Sequence, residues 1–440
     1  MDNYLFEKAP VPRTYMKLAL PVVFSMIVTL IYNMVDTYFI ARTGNTDLVA
    51  GVSLAAPIFT LMIAFGDIWG LGGSSLISRL FGQKKDDEAK RVSSFCFWSA
   101  IIFGLCVTLV LLIFRGPVLH ILGAGSSTLA YSSAYYTWIA IGAAFIILGL
   151  VPTNLMRTEG MAAEAMFGSI LGSVVNIILD PIFIFTLHQG AAGAAIATVI
   201  GNICADIYYV CVILKKSRRL SIAPSLMRIP AEQIRSVLAI GFPASITNLM
   251  QSLMIMITNH FLLAYGTDKI AALGIALKAN MITMLILVAF AFGGQPLIGY
   301  NYGARNKDRL KEILKFAYIF EAVLALVFTI VMSILAPQII RIFMNDASVV
   351  TAGSLMLRLL QLGMVFMSVV LVSTCVCQSV GNGSGALLLS VSRQGLVYAI
   401  VIFLLSHIFG YHGVLVSQAC ADLVTAIMSV FIIRKLHVLE

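Results

Sequence analysis

Twelve stretches of this chain are apolar and long enough to cross a bilayer: residues 15–41, 48–76, 92–114, 129–155, 162–186, 190–214, 234–264, 269–294, 314–336, 349–377, 385–407 and 411–433. A hydrocarbon core about 30 Å thick is spanned by roughly 20 apolar residues in a helix. Lipid leaves no water to satisfy free backbone groups, so such stretches become helices. A β-barrel needs strict alternation of apolar and polar residues, and these runs are continuous. The expected fold is an all-α membrane protein with twelve transmembrane helices. Composition agrees: 60% of residues are hydrophobic and 11% are charged, against about 25% charged in soluble domains.

The formal net charge of +9 is explained by topology rather than by nucleic acid. With the N-terminus placed inside, 23 of the 29 Lys and Arg fall on the cytoplasmic side, Arg393 after segment ten among them. Four fall outside (Arg42, Arg115, Lys269 and Arg341), and Lys278 and Arg358 lie within segments. That bias predicts both termini in the cytoplasm. The first apolar run is too long for a signal peptide and lacks a small-residue cleavage site, so it is expected to stay as the first helix. The seven Cys sit in apolar segments at spacings that suit packing rather than disulfides or metal.

The chain repeats at an offset of 221 residues: Asp47 returns as Asp268, Gly82 as Gly303, Asp87 as Asp308 and Gly160 as Gly381. Near the end the offset shrinks to 216, where Cys204-Ala205-Asp206 matches Cys420-Ala421-Asp422. Ordered matches at near-constant spacing mark an internal repeat. Two six-helix lobes follow, 1–215 and 234–440, joined by a basic linker, 216–233. An even number of spans per half gives both halves the same orientation. Repeats of this kind are common in transporters, with the substrate held between the halves.

Ionisable residues inside a membrane are costly and mark function. Asp36 lies six residues before Arg42, Asp180 eight before His188, and Thr198 eight after Gly190. At ~1.5 Å per residue all three sit about 9–12 Å below the outer boundary. Asn176 and Asp180 share a helix face, and Tyr32 and Asn33 lie about one turn before Asp36. These oxygens suit a small hard cation such as Na⁺, or a proton shared between carboxylates. The alternative for Asp180 is a local cap or pair beside Pro181. Asp67, Asp206 and Asp422 lie toward the cytoplasm, where pairing with Lys or Arg is expected. Glu321 has no partner legible in the sequence. Segment seven offers Asn248, Gln251, Asn259 and His260 rather than a carboxylate, and Lys278 is the candidate cavity-facing cation. This asymmetry points to one ion site, in the first half. The substrate-cavity candidates are Tyr32, Asn33, Gln251 and Lys278, with some of the 20 Met and 26 Phe lining a pliable cavity. Pro21 and Pro243 each permit a bend. The six His have no ligand spacing, and no nucleophile–base pair emerges, so an enzyme is not expected.

Several motifs carry a more specific resemblance: Leu20-Pro21, Val35-Asp36-Thr37, Arg79 to Lys85 with Gly82, and Arg157-Thr158-Glu159-Gly160. Others are Asn176-x3-Asp180-Pro181, Gly193 to Thr198, and Gln295-Pro296-Leu297-Ile298-Gly299-x-Asn301-Tyr302-Gly303. Over nearly its whole length the chain resembles the multidrug and toxic compound extrusion (MATE) transporters. The resemblance implies two lobes around a central cleft and alternating access driven by a cation gradient. It maps the coupling site to Asp36, Asn176, Asp180 and Thr198, with the Ala194 carbonyl beside them. The implied activity is antiport of H⁺ or Na⁺ against amphipathic, cationic organic compounds across the cell inner membrane, by a monomer without a cofactor. The competing reading is a lipid-linked precursor flippase of the related superfamily, whose cleft would carry more strong cations.

Overall fold

A computed structural model describes residues 4–436 apart from Asn345; the side chains of Asn248, Leu249, Ser252 and Thr267 lie outside the described residues. Every regular element among the described residues is helical. The long helices are α1 (Val11–Ala41), α2 (Thr46–Gly82), α3 (Asp86–Ile113), α4 (Leu129–Ile141), α5 (Ala143–Thr158), α6 (Ala162–Pro181), α7 (Gly190–Lys216), α8 (Ala231–Leu262), α9 (Thr267–Gly303), α10 (Lys307–Ile334), α11 (Ala347–Val380), α12 (Gly383–Val391) and α13 (Val397–Lys435).

Among the described residues nine helical stretches are long and apolar enough to span a membrane, and α4 with α5, bent by 50°, makes a tenth. One of the nine, Gly383–Lys435, is 53 residues long, about 80 Å at 1.5 Å per residue and far more than one bilayer. It breaks at Gly410, which has φ +55° and ψ −130°, a conformation that glycine adopts without a Cβ clash. The stretch therefore holds two spans, and α8 at 32 residues is the twelfth. Arg393 is not in a cytoplasmic loop, as the charge count had placed it. It sits buried in a π-helical turn, Ser392–Leu396, between α12 and α13.

The chain forms two compact units. The first is Phe24–Ser245; the second is Met1–Val23 together with Ile246–Glu440. Each boundary falls inside a helix, just after Pro21 of α1 and Pro243 of α8. Each unit therefore contains the opening part of the other repeat's first helix, an exchange that hydropathy does not reveal. Glycines make the exchange possible, because they let backbones approach closely. In the first unit a methyl group on Gly72 would collide with the Val237 carbonyl, and one on Gly241 with the Ile68 carbonyl. In the second unit a methyl on Gly293 would collide with the Ala19 backbone, and one on Gly294 with the Tyr15 ring. Gly72 and Gly293 are themselves related by the 221-residue offset.

The repeat extends to backbone conformation. Gly160 and Gly381 both have φ +87°, and Lys84 and Arg305 have φ +59° and +54°. In the first unit α2 packs on α3, α4 and α5, and α7 packs on α4, α5 and α6. In the second, α11 packs on α9, α10 and α13.

The basic segment after α7 is tied down. Glu159, buried at the turn after α5, accepts hydrogen bonds from the Ser217 hydroxyl at 2.5 Å and from the amides of Arg218 at 3.1 Å and Arg219 at 3.3 Å. Arg219 pairs with Asp86 at 2.6 Å and stacks over Phe81. Trp98 donates to the Ile222 carbonyl at 3.0 Å. The Glu in the Arg-Thr-Glu-Gly motif thus acts as an acceptor for linker amides.

Candidate cation site

The first unit gathers the polar positions of α1, α6 and α7. Asp180 closes α6 directly before Pro181. Proline has no N–H and disrupts the preceding turn, and the helix continues as a π-helical turn over Ile182–Thr186. Such turns accompany functional sites. Phe39 of α1 meets Phe185 of this turn edge-on, with centroids 6.3 Å apart, which holds the C-terminal end of α1 beside Asp180.

The Asp36 and Asp180 carboxyl groups are direct neighbours. Asp180 is fully buried. Among the described residues, both of its oxygens and Oδ1 of Asp36 have no N–H or O–H donor. One turn before Asp180, Asn176 donates through Nδ2 to the Thr198 hydroxyl at 3.2 Å, and that hydroxyl donates to the Ala194 carbonyl at 3.0 Å. This pairing turns Asn176 Oδ1 away from any donor, and it too is buried and unmatched. Four buried oxygens without donors therefore occupy one neighbourhood.

Buried polar groups are almost always hydrogen-bonded, so each exception needs a cause. A cluster of acceptors with no donor is the arrangement that a cation completes. Two adjacent carboxylates also resist ionising together, so the pair either shares a proton or holds a positive ion. The lining oxygens are hard ligands of the kind that bind alkali cations or protons rather than soft metals.

Of the positions expected from the sequence, Asp36, Asn176, Asp180 and Thr198 lie together. Tyr32, half-buried, lies beside Thr198 and the two carboxyls. Asn33 is exposed, and its carbonyl accepts the Thr37 hydroxyl at 2.8 Å. Gln251 and Lys278 belong to the other compact unit, where Gln251 points at Met284 Sδ, 3.7 Å away, and Lys278 is exposed. Two residues escaped the sequence reading. Tyr135 of α4 is buried next to Asp36, Tyr32 and Asp180. Asn202 donates to the Thr198 carbonyl at 2.8 Å, one turn further along α7. The spacing Thr198–Asn202 was a readable signal; the facing of α4 was not.

The remaining carboxylates divide. Asp422 pairs with Arg393 at 2.8 Å and accepts from Gln418 at 3.1 Å. Its repeat counterpart, Asp206, is buried with neither oxygen hydrogen-bonded, contrary to the expected pairing. Asp67 lies near Arg157. The second unit also contains a small, mostly apolar cleft lined by residues including Met254, Thr258, Leu277, Met356, Tyr398 and Gln418.

A twelve-span helical repeat with a buried acceptor cluster in one half defines a multi-pass membrane transporter. Comparison with known proteins narrows this. The MatE family model matches residues 21–182 and again 243–404, one match in each half. The multidrug export protein MepA of Staphylococcus saprophyticus is 31% identical over 434 residues, covering 99% of this chain and 96% of the relative. MepA of Staphylococcus aureus MRSA252 is 30% identical with the same coverage. The solved outward-facing structure of a multidrug resistance MATE family transporter superposes with a TM-score of 0.92 at 24% identity, covering 99% of this chain and 97% of that one. The chain belongs to the MatE family of membrane transporters, and it is a multi-pass cell-membrane protein rather than an enzyme.

Proposed function

We propose that this chain exports amphipathic, cationic organic compounds by alternating access, driven by inward movement of H⁺ or Na⁺ through Asp36 and Asp180. The observation that carries this reading is the set of four donorless buried oxygens on Asp36, Asn176 and Asp180. A positive ion arriving from outside would satisfy them, with the Thr198 hydroxyl beside the site. Neutralising the pair would remove the negative charge that favours an organic cation and would free α1 to shift near Pro21. Ion and drug would then weaken each other's binding by the same factor, as linkage requires. The multidrug export role named for the MepA relatives supports this substrate class, as does the Met-containing cleft of the second unit, since Met surfaces adapt to varied ligands. Both termini are assigned to the cytoplasm and the working unit to a monomer.

A flippase cleft would need strong cations, and the sequence offers Lys278 and Arg358 for it. Lys278 is exposed, and Arg358 Nε donates to the Ser333 carbonyl at 3.0 Å, so neither forms a cluster of cations for a pyrophosphate.

The test is equilibrium binding of a fluorescent lipophilic cation to purified protein. Added Na⁺ or lowered pH should weaken binding to the wild type and leave binding to Asp36→Asn unchanged. Equal weakening in both proteins would contradict the assignment.

A further inference from the structure

Glu321 of α10 lies among the buried positions of its helix, which run Leu310, Leu314, Ala317, Glu321, Ala325 and Met332. It therefore points into protein rather than lipid, with a small residue one turn to either side. It is completely buried, and among the described residues neither carboxylate oxygen has a hydrogen-bond partner. Its titratable neighbours are Tyr15, from the opening part of α1, and Cys375 of α11. Aromatic rings fill the same region: Tyr15 meets Phe316 edge-on at 5.3 Å, and Phe320 meets Phe290 at 4.9 Å.

The nearby tyrosine hydroxyls are committed elsewhere. The Tyr15 hydroxyl donates to the Phe290 carbonyl at 3.0 Å. On the same helix as Glu321, the Tyr318 hydroxyl pairs with Ser373 at 2.8 Å. Arg393 is held by Asp422, with a second N–H reaching Met367 Sδ at 2.9 Å. Among the described residues no ion pair joins Glu321 to a cation. An ionised carboxylate in such surroundings costs far more than a neutral one. The rings, Ala and Cys nearby do not supply the several oxygens that Na⁺ needs.

We infer that Glu321 is a proton-binding site of the second unit, separate from the Asp36–Asp180 pair. It carries a proton while Tyr15 is seated on the Phe290 carbonyl. When Tyr15 leaves that carbonyl and water enters, the Glu321 proton passes to water, and the carboxylate left behind accepts the freed Tyr15 O–H. Tyr15 and Asp36 lie on the same helix in different units, so proton occupancy at Glu321 is tied to the seating of α1. The inference stands whether or not Asp36 and Asp180 carry the coupling ion.

Infrared spectroscopy of the purified full-length protein at neutral pH tests it. The difference between the wild-type and Glu321→Gln spectra should contain the carbonyl stretch of a protonated carboxyl; Asp36→Asn should keep that component and Tyr15→Phe should shift it. A wild-type measurement guards against misfolded variants: dicyclohexylcarbodiimide, which adds to protonated carboxyls in apolar surroundings, should modify Glu321, as read by peptide mass spectrometry. Loss of only an ionised-carboxylate band in Glu321→Gln, or an unmodified Glu321 peptide, would overturn the inference.

Discussion

Gly293 of α9 packs so closely on Ala19 of α1 that no Cβ fits between them, and Gly72 of α2 stands in the same relation to Val237 of α8. The two glycines are related by the internal repeat, and each contact anchors the opening part of the other repeat's first helix. The remainder of each first helix belongs to the other compact unit. Asp36 therefore sits on a helix whose ends are held by different units.

Adding a methyl at either glycine forces an overpacked backbone contact. Gly293→Ala and Gly72→Ala should each destabilise the protein by about 1–3 kcal/mol, seen as a lower Tm in detergent. An unchanged Tm would mean that the helices separate at no cost.

Arg393 and Asp422 form a buried pair with side-chain exposures of 10% and 0%. Removing one partner strands the other charge, a loss of about 3–5 kcal/mol, whereas replacing both with apolar residues is often neutral. Arg393→Met should lower Tm strongly, and the double variant Arg393→Met, Asp422→Leu should recover most of the loss. Additive losses in the double variant would contradict the pairing.

Glu159 holds two linker amides and the Ser217 hydroxyl. Glu159→Ala leaves those donors unmatched, at about 1–3 kcal/mol each if they stay buried. The linker should loosen, and trypsin should cleave faster after Arg218 and Arg219. A cleavage rate equal to the wild type would show that Arg219–Asp86 and Trp98 suffice.

Asn176 supplies one of the four donorless oxygens and orients Thr198. A hydrogen bond or ligand contact to a charged group contributes about 1.5–3 kcal/mol. Asn176→Ala should therefore raise the ion concentration needed for half-maximal export by roughly ten- to hundredfold. No change in that midpoint would remove Asn176 from the site.

Much of this was legible in the sequence because helix geometry is rigid. A fixed rise per residue set Asp36, Asp180 and Thr198 at one depth, and the four-residue spacing put Asn176 on the face of Asp180. The repeat was readable because its glycines and basic turns hold constrained backbone angles, as at Gly160 and Gly381. Rotation of one helix about its axis against another was not readable, since apolar residues surround most of these helices. Tyr135 was missed for that reason, and so was the inward face of α10 that buries Glu321. The burial of Arg393 depends on a π-helical turn, which has no signature in its residues. The exchange of α1 and α8 between units follows from close glycine contacts that only the packed structure displays.

The most direct test of the central claim is drug efflux from proteoliposomes driven by a Na⁺ gradient alone and by a pH gradient alone, with wild type and Asp36→Asn in parallel. Wild-type export under at least one gradient, with none by Asp36→Asn under either, is the predicted result. Export by Asp36→Asn with an unaltered ion dependence would contradict it and place the coupling outside the Asp36–Asp180 pair.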